Sequence, residues 1–203
     1  MKHYPLFVLM ATVTVFSPGP GVIMTLTNAL RHSLYGTFGG ILGIASGAFV
    51  VAAISATGAG IVLATSAMAF TIMKYVGAAY LFFLGIKLWR APALELKEGT
   101  APVGGFGRRY VEGIALQLTN PKVIFFFLSI FPQFIDATDH YTTQFATLVM
   151  TYSALVVLIH LLYAVMANRA KGLLTSAKGS RAVNRAGGVT FILFGAALAN
   201  ANR

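Results

Sequence analysis

Cysteine is absent from this 203-residue chain, which removes disulfides, thiolate metal sites and cysteine nucleophiles from consideration. Charge is scarce as well. Only 10% of residues are charged, where a soluble domain carries about 25%. No acidic residue occurs before Glu95. There is no G-x-S-x-G elbow, no H-E-x-x-H pair and no acidic pair inside an apolar stretch, so hydrolase and metalloprotease chemistry has no seat. Asp136, Asp139 and His140 cluster in a short polar connection, in the manner of solvated charges and without a metal-ligand spacing. Neither an enzymatic activity nor a metal or cofactor is expected.

What the chain has is hydrophobic sequence, at 57% of residues. Six apolar stretches, over approximately 5–29, 38–63, 67–89, 110–134, 143–167 and 184–201, approach the length needed to cross a ~30 Å hydrocarbon core. The last is the shortest. The expected fold class is therefore an all-α membrane protein with six transmembrane helices. Lys2 ahead of the first stretch superficially suggests a signal peptide. No clean small-x-small cleavage site follows, and a Pro-Gly cluster leads into more apolar sequence, so the stretch is expected to remain as a span.

Net charge is +10, with the basic residues gathered in loops. That pattern fits a topology signal and contact with anionic membrane lipids, and no nucleic acid is expected as a partner. With six spans, one side collects Arg31, Lys87, Arg90, Lys97, Arg108, Arg109, Arg169, Lys171, Lys178, Arg181 and Arg185; the other has Lys2 and Arg203. The first side is expected to be cytoplasmic, placing both termini outside. A Pro- and Gly-containing hydrophilic connection, about 90–109, divides a single transmembrane domain over 1–203 into a first repeat, about 4–89, and a second, about 110–203.

Two stretches are interrupted near their centres. Ser17-Pro18-Gly19-Pro20-Gly21 breaks the first, and Asn120-Pro121-Lys122 breaks the fourth. Each break lies roughly ten residues from either end of its stretch, near the bilayer midplane. Pro18 and Pro20 would free the carbonyls of Thr14 and Phe16 if the preceding helix ran into them. Hydrocarbon cannot satisfy such groups, so the backbone there must be buried in protein or line a polar cavity. Pro20-Gly21-Val22-Ile23 also matches Pro121-Lys122-Val123-Ile124. Three-span repeats must be inserted in opposite senses, so the half-helices after the breaks would start at one place with their positive ends converging. Such ends attract an anion and freed carbonyls attract a cation, a combination suited to a small zwitterion such as an amino acid.

The expected solute contacts are Pro18, Gly19, Pro20, Gly21, Asn28, Gln117, Asn120, Pro121 and Lys122. Lys122 is costly at mid-membrane, about 2.5–3.5 kcal/mol on insertion scales, and is the candidate partner of a carboxylate. His160 in the fifth span and Glu112 at the start of the fourth are the titratable candidates for proton coupling. Gly39, Gly43 and Gly47 repeat at helical spacing, a face for close packing within the protomer or in a homodimer.

The Pro18-Gly19-Pro20 break, the glycine-rich second span, Asn120-Pro121-Lys122 and Phe131-Pro132-Gln133-Phe134 together resemble the LysE/RhtB family of amino-acid exporters. The resemblance covers essentially the whole chain. It implies proton-driven secondary efflux of amino acids or close derivatives across the bacterial inner membrane, with Pro18, Gly19, Pro20, Asn120, Pro121 and Lys122 at its motif positions. Many members carry an acidic or polar residue after the glycine matching Gly47, whereas this chain has Ala48. A membrane structural or assembly protein, or a passive channel using the glycine faces, is the alternative expectation.

Overall fold

The computed structural model describes residues 4–32, 34–65, 67–93, 105–135 and 140–200. Among these the chain is all helical, with no strand. Asp136, Asp139 and Lys97 lie outside the described residues.

The first apolar stretch forms α1, Tyr4–Phe16, and α2, Pro20–Arg31, which meet at 56°. Pro20 occupies the first turn of α2, where its missing N–H costs nothing, and Arg31 sits against the negative end. The second stretch forms α3, Leu34–Thr65, and the third forms α4, Ala67–Trp89. The fourth is broken into α5, Phe106–Leu118, and α6, Pro121–Phe125, again with proline in the first turn. A π turn over Phe126–Ile130 and a 3₁₀ turn over Phe131–Phe134 complete it, and the two arms meet at 55°. Then come α7, Tyr141–Val165, the short α8, Ala167–Thr175, and α9, Ala177–Asn200.

Three segments, Leu34–Ser55, Tyr141–Val165 and Ala177–Asn200, are long and apolar enough to cross a membrane by themselves, and counting each bent pair as one span gives up to five. The last helix begins at Ala177, well ahead of the apolar stretch starting near 184. Its polar first turns are held by tertiary bonds, with the Asn184 amide donating to the carbonyls of Ala91 and Pro92 at 3.2 and 3.3 Å. The separate helix α8 carries Arg169 and Lys171 and, at nine residues, is too short to cross a membrane by itself.

Glycine decides which helices touch. A Cβ on Gly39 would lie 2.6 Å from the carbonyl oxygen of Phe106, one on Gly43 would overlap that of Tyr110, and one on Gly47 would lie 2.7 Å from Gln117 Cβ. Gly113 answers from α5, 2.6 Å from the Gly40 carbonyl. The face anticipated from the sequence thus packs α3 on α5 inside the protomer. Gly85 and Gly188 do the same for α4 and α9.

The end of the bundle near the start of α1 is filled by rings. Phe7 packs against Phe126, Phe131 and Phe134 with centroids 6.0, 6.0 and 5.3 Å apart. Phe127 and Tyr152 extend this buried cluster inward at 4.8 Å. Phe125 instead points outward and stacks on Tyr80 at 4.1 Å.

Candidate functional site

The two breaks meet. The Lys122 ammonium reaches back to the first break and donates to the Ser17 carbonyl at 3.1 Å and to Ser17 Oγ at 3.0 Å. Gly19 makes room for it, since a Cβ there would lie 3.2 Å from Nζ. Lys122 therefore turns inward, toward protein. The single ion pair among the described residues joins Arg108 to Glu112 elsewhere, so this ammonium has main-chain and hydroxyl oxygens for partners and no carboxylate.

The carbonyls freed by proline are caught by side chains. Phe16 O accepts from the Tyr163 hydroxyl at 2.8 Å, and Thr14 O accepts from Ser17 Oγ at 3.0 Å. They are thus not bare acceptors awaiting an ammonium, although each oxygen keeps a second lone pair.

The half-helix starts differ. Gly19 caps α2 in an extended conformation with no side-chain bond, and the amides of Gly21 and Val22, both in a cavity wall, belong to the helix's unpaired first turn. Asn120 caps α6 fully, its Oδ1 accepting from Lys122 N at 3.2 Å and its carbonyl from Val123 N at 3.1 Å. The helix start whose first-turn amides remain open to an anion is that of α2.

Around this junction lies a small cavity of about 20 Å³, lined by Thr14, Val15, Gly21, Val22, Ile44, Gln117, Asn120, Lys122, Val123, Tyr152, Val156 and His160. It has room for about one water molecule and none for an amino acid. Gln117 and Asn120 are buried in its wall and bonded to each other at 3.3 Å. Buried His160 bonds Thr25 Oγ1 through Nδ1 at 2.7 Å, with Cε1 against Gly21. Pro18 and Gly19 line a second cavity, about 350 Å³, with Leu88, Ala91, Pro92, Ser180 and Asn184.

Gly21, Gln117, Asn120, Lys122 and His160 are thus brought to one cavity, with Pro18 and Gly19 on the neighbouring one. Pro20 and Pro121 shape the turns as first residues of α2 and α6. Asn28 is not brought in: its amide nitrogen lies against Gly40 between α2 and α3, without a hydrogen-bond partner among the described residues. Glu112 is also elsewhere, paired with Arg108 at 2.8 Å on the surface, both side chains about half exposed (45% and 53%). Sequence reasoning passed over Thr25, Tyr152, Val156 and Tyr163. The signal was available for the α7 members, because Tyr152, Val156, His160 and Tyr163 follow helical spacing on one face.

Residues 12–202 match the family of LysE type translocators. The chain is 34% identical over 195 residues to the homoserine/homoserine lactone efflux protein of Salmonella typhimurium, covering 96% of this chain and 95% of the relative. It is 31% identical over 141 residues to the leucine efflux protein of Salmonella choleraesuis, covering 69% and 66%. It is 35% identical over 145 residues to a membrane protein of Vibrio cholerae, covering 71% of each. No solved structure matches it. A multi-pass helical chain with these matches is a membrane translocator and not an enzyme, and it belongs to the LysE type translocator family.

Proposed function

We propose that this protein exports neutral amino acids, or close derivatives, from the bacterial cytoplasm in exchange for protons. The observation that carries the reading is the Lys122–Ser17 contact, which joins both broken spans at a cavity holding a buried cation and no described carboxylate. A solute carboxylate would pair with Lys122 and the open amides of α2, and its ammonium would take the Ser17 carbonyl and the second lone pair of the Phe16 carbonyl. With no described carboxylate in that wall, a second positive charge on the solute has no partner, so dibasic amino acids are disfavoured. The names of the homoserine and leucine efflux relatives agree in charge class.

The proposed architecture is six spans in two inverted three-span repeats. Nearly equal bends at Pro20 and Pro121, 56° and 55°, support it. So does reciprocal packing, in which α3 of the first repeat rests on α5 and α7 of the second rests on α1 and α2. α4, 23 residues long, supplies the sixth span. The basic ends would face the cytoplasm, and His160 is the proposed proton carrier because it alone joins Lys122 among titratable imidazole, carboxyl and amine groups in the cavity wall.

Counterflow in proteoliposomes, using a panel of radiolabelled amino acids with and without a pH gradient, tests this. Saturable, gradient-stimulated exchange of neutral amino acids is expected. Flux indifferent to the gradient would favour a channel, and no flux of any amino acid would refute the reading.

A further inference from the structure

Two cavities flank the first break, and the Lys122–Ser17 contact stands between them. Gly19 belongs to the wall of the larger and Lys122 to the wall of the smaller. Nζ sits 3.2 Å from where a Gly19 side chain would begin. The larger cavity opens on the side of the basic helix ends, since Leu88 and Ser180 in its wall adjoin the Lys87–Arg90 and Arg181 positions. Its volume of about 350 Å³ falls in the range of small-molecule pockets, about 300–1,000 Å³. Its far wall is fixed by Asn184 and Ser180, whose side chains donate to Pro92 O at 3.3 and 3.4 Å. Beyond the smaller cavity, Tyr152 packs on Phe126 and Phe127 at 5.0 and 4.8 Å, closing the other direction.

We propose that the Lys122–Ser17 contact is a latch between an entrance vestibule and the binding cavity, and that the carboxylate of the arriving amino acid opens it. The inference rests on the amino-acid reading above and adds how so small a cavity admits its solute. Ser17 engages two donors of the ammonium, and an ammonium has three. A carboxylate is a stronger, charge-assisted partner than a carbonyl and a hydroxyl. A solute in the vestibule therefore draws Nζ off Ser17, and the flexible lysine stem swings without moving the Asn120-capped backbone. The vacated Ser17 carbonyl is then free for the solute's own ammonium. Recognition of both ends of the zwitterion and opening of the latch are one exchange of hydrogen bonds.

The absence of native cysteine gives a direct test. Val156→Cys places a thiol in the wall of the small cavity, away from the vestibule. In inside-out membrane vesicles, a small charged methanethiosulfonate is applied and the labelling rate measured. Adding Lys122→Met should speed labelling at least tenfold with no solute present, and Ser17→Ala, which removes one of the two bonds, should speed it severalfold. Leucine or homoserine should accelerate labelling in the Val156→Cys protein but not in the Lys122→Met double variant. Should Lys122→Met fail to reach the membrane, the Ser17→Ala arm decides. A labelling rate unchanged by loss of these bonds would overturn the latch. Faster labelling in the variants without any response to amino acids would keep the latch and refute the amino-acid reading instead.

Discussion

The hydroxyl of Tyr163 donates to the carbonyl oxygen of Phe16 at 2.8 Å, joining α7 to the end of α1 at the very group that Pro20 deprives of its helical partner. The proline break is therefore stabilised from another helix, and the kink is built into the tertiary structure. Tyr163→Phe removes that donor and leaves a polar oxygen poorly satisfied. The expected loss is about 1 kcal/mol in stability, read as a lower unfolding temperature in detergent, with weakened transport. Unchanged unfolding would show that the break needs no such support.

Packing of α3 on α5 makes a paired prediction about glycine. A methyl group on Gly43 meets the Tyr110 carbonyl, which is backbone and cannot turn aside, whereas nothing lies within 4 Å of one on Gly107. Gly43→Ala should cost about 1–3 kcal/mol through overpacking. Gly107→Ala, in an open stretch of α5, should be neutral or stabilise by up to about 1 kcal/mol through helix propensity. Thermal unfolding of the two purified variants checks both signs together.

Asn120 separates stability from solute binding. Its Oδ1 caps α6 by accepting from Lys122 N, so Asn120→Ala should lose about 1 kcal/mol. Asn120→Asp keeps the capping oxygen but adds an anion to the wall that holds Lys122. That variant should remain nearly as stable yet raise the half-saturating amino-acid concentration severalfold, because the solute carboxylate meets a competitor. Equal transport in Asn120→Asp and the parent protein would argue that Lys122 does not bind the solute.

Proton coupling divides His160 from Glu112. His160→Gln should abolish stimulation of transport by a pH gradient while leaving gradient-free counterflow measurable. Glu112→Gln should leave the stimulation intact, at a stability cost of at most about 0.5 kcal/mol for an exposed i, i+4 pair. The reverse pattern would move coupling to the entrance of α5.

Much of this arrangement was legible in the chain. Pro18, Pro20 and Pro121 announce where helices end, because a missing N–H is a local fact that tertiary packing cannot restore. The step from Gly39 to Gly43 to Gly47 announces a close-packed face, since one face of a helix recurs at that spacing. Partners across the bundle were not legible. Nothing near Lys122 in sequence points to Ser17, and nothing near Phe16 points to Tyr163, because those contacts depend on how bent helices dock. For the same reason the place of Asn28, whose amide nitrogen lies against Gly40, could not be read from the chain. Glu112 pairs at the surface with Arg108 one turn earlier, a contact that the i, i+4 spacing does allow to be read. The short helix α8 carries Ala167, Ala170 and Leu174 at helical spacing, but over only nine residues.

Restoring a continuous first helix is the most direct challenge to a solute site at the joined breaks. Pro18→Ala combined with Pro20→Ala should let α1 run into α2, withdraw Ser17 from Lys122 and abolish amino-acid counterflow in proteoliposomes, with the protein still inserted in the membrane. Counterflow at the parental rate in that double variant would contradict the account.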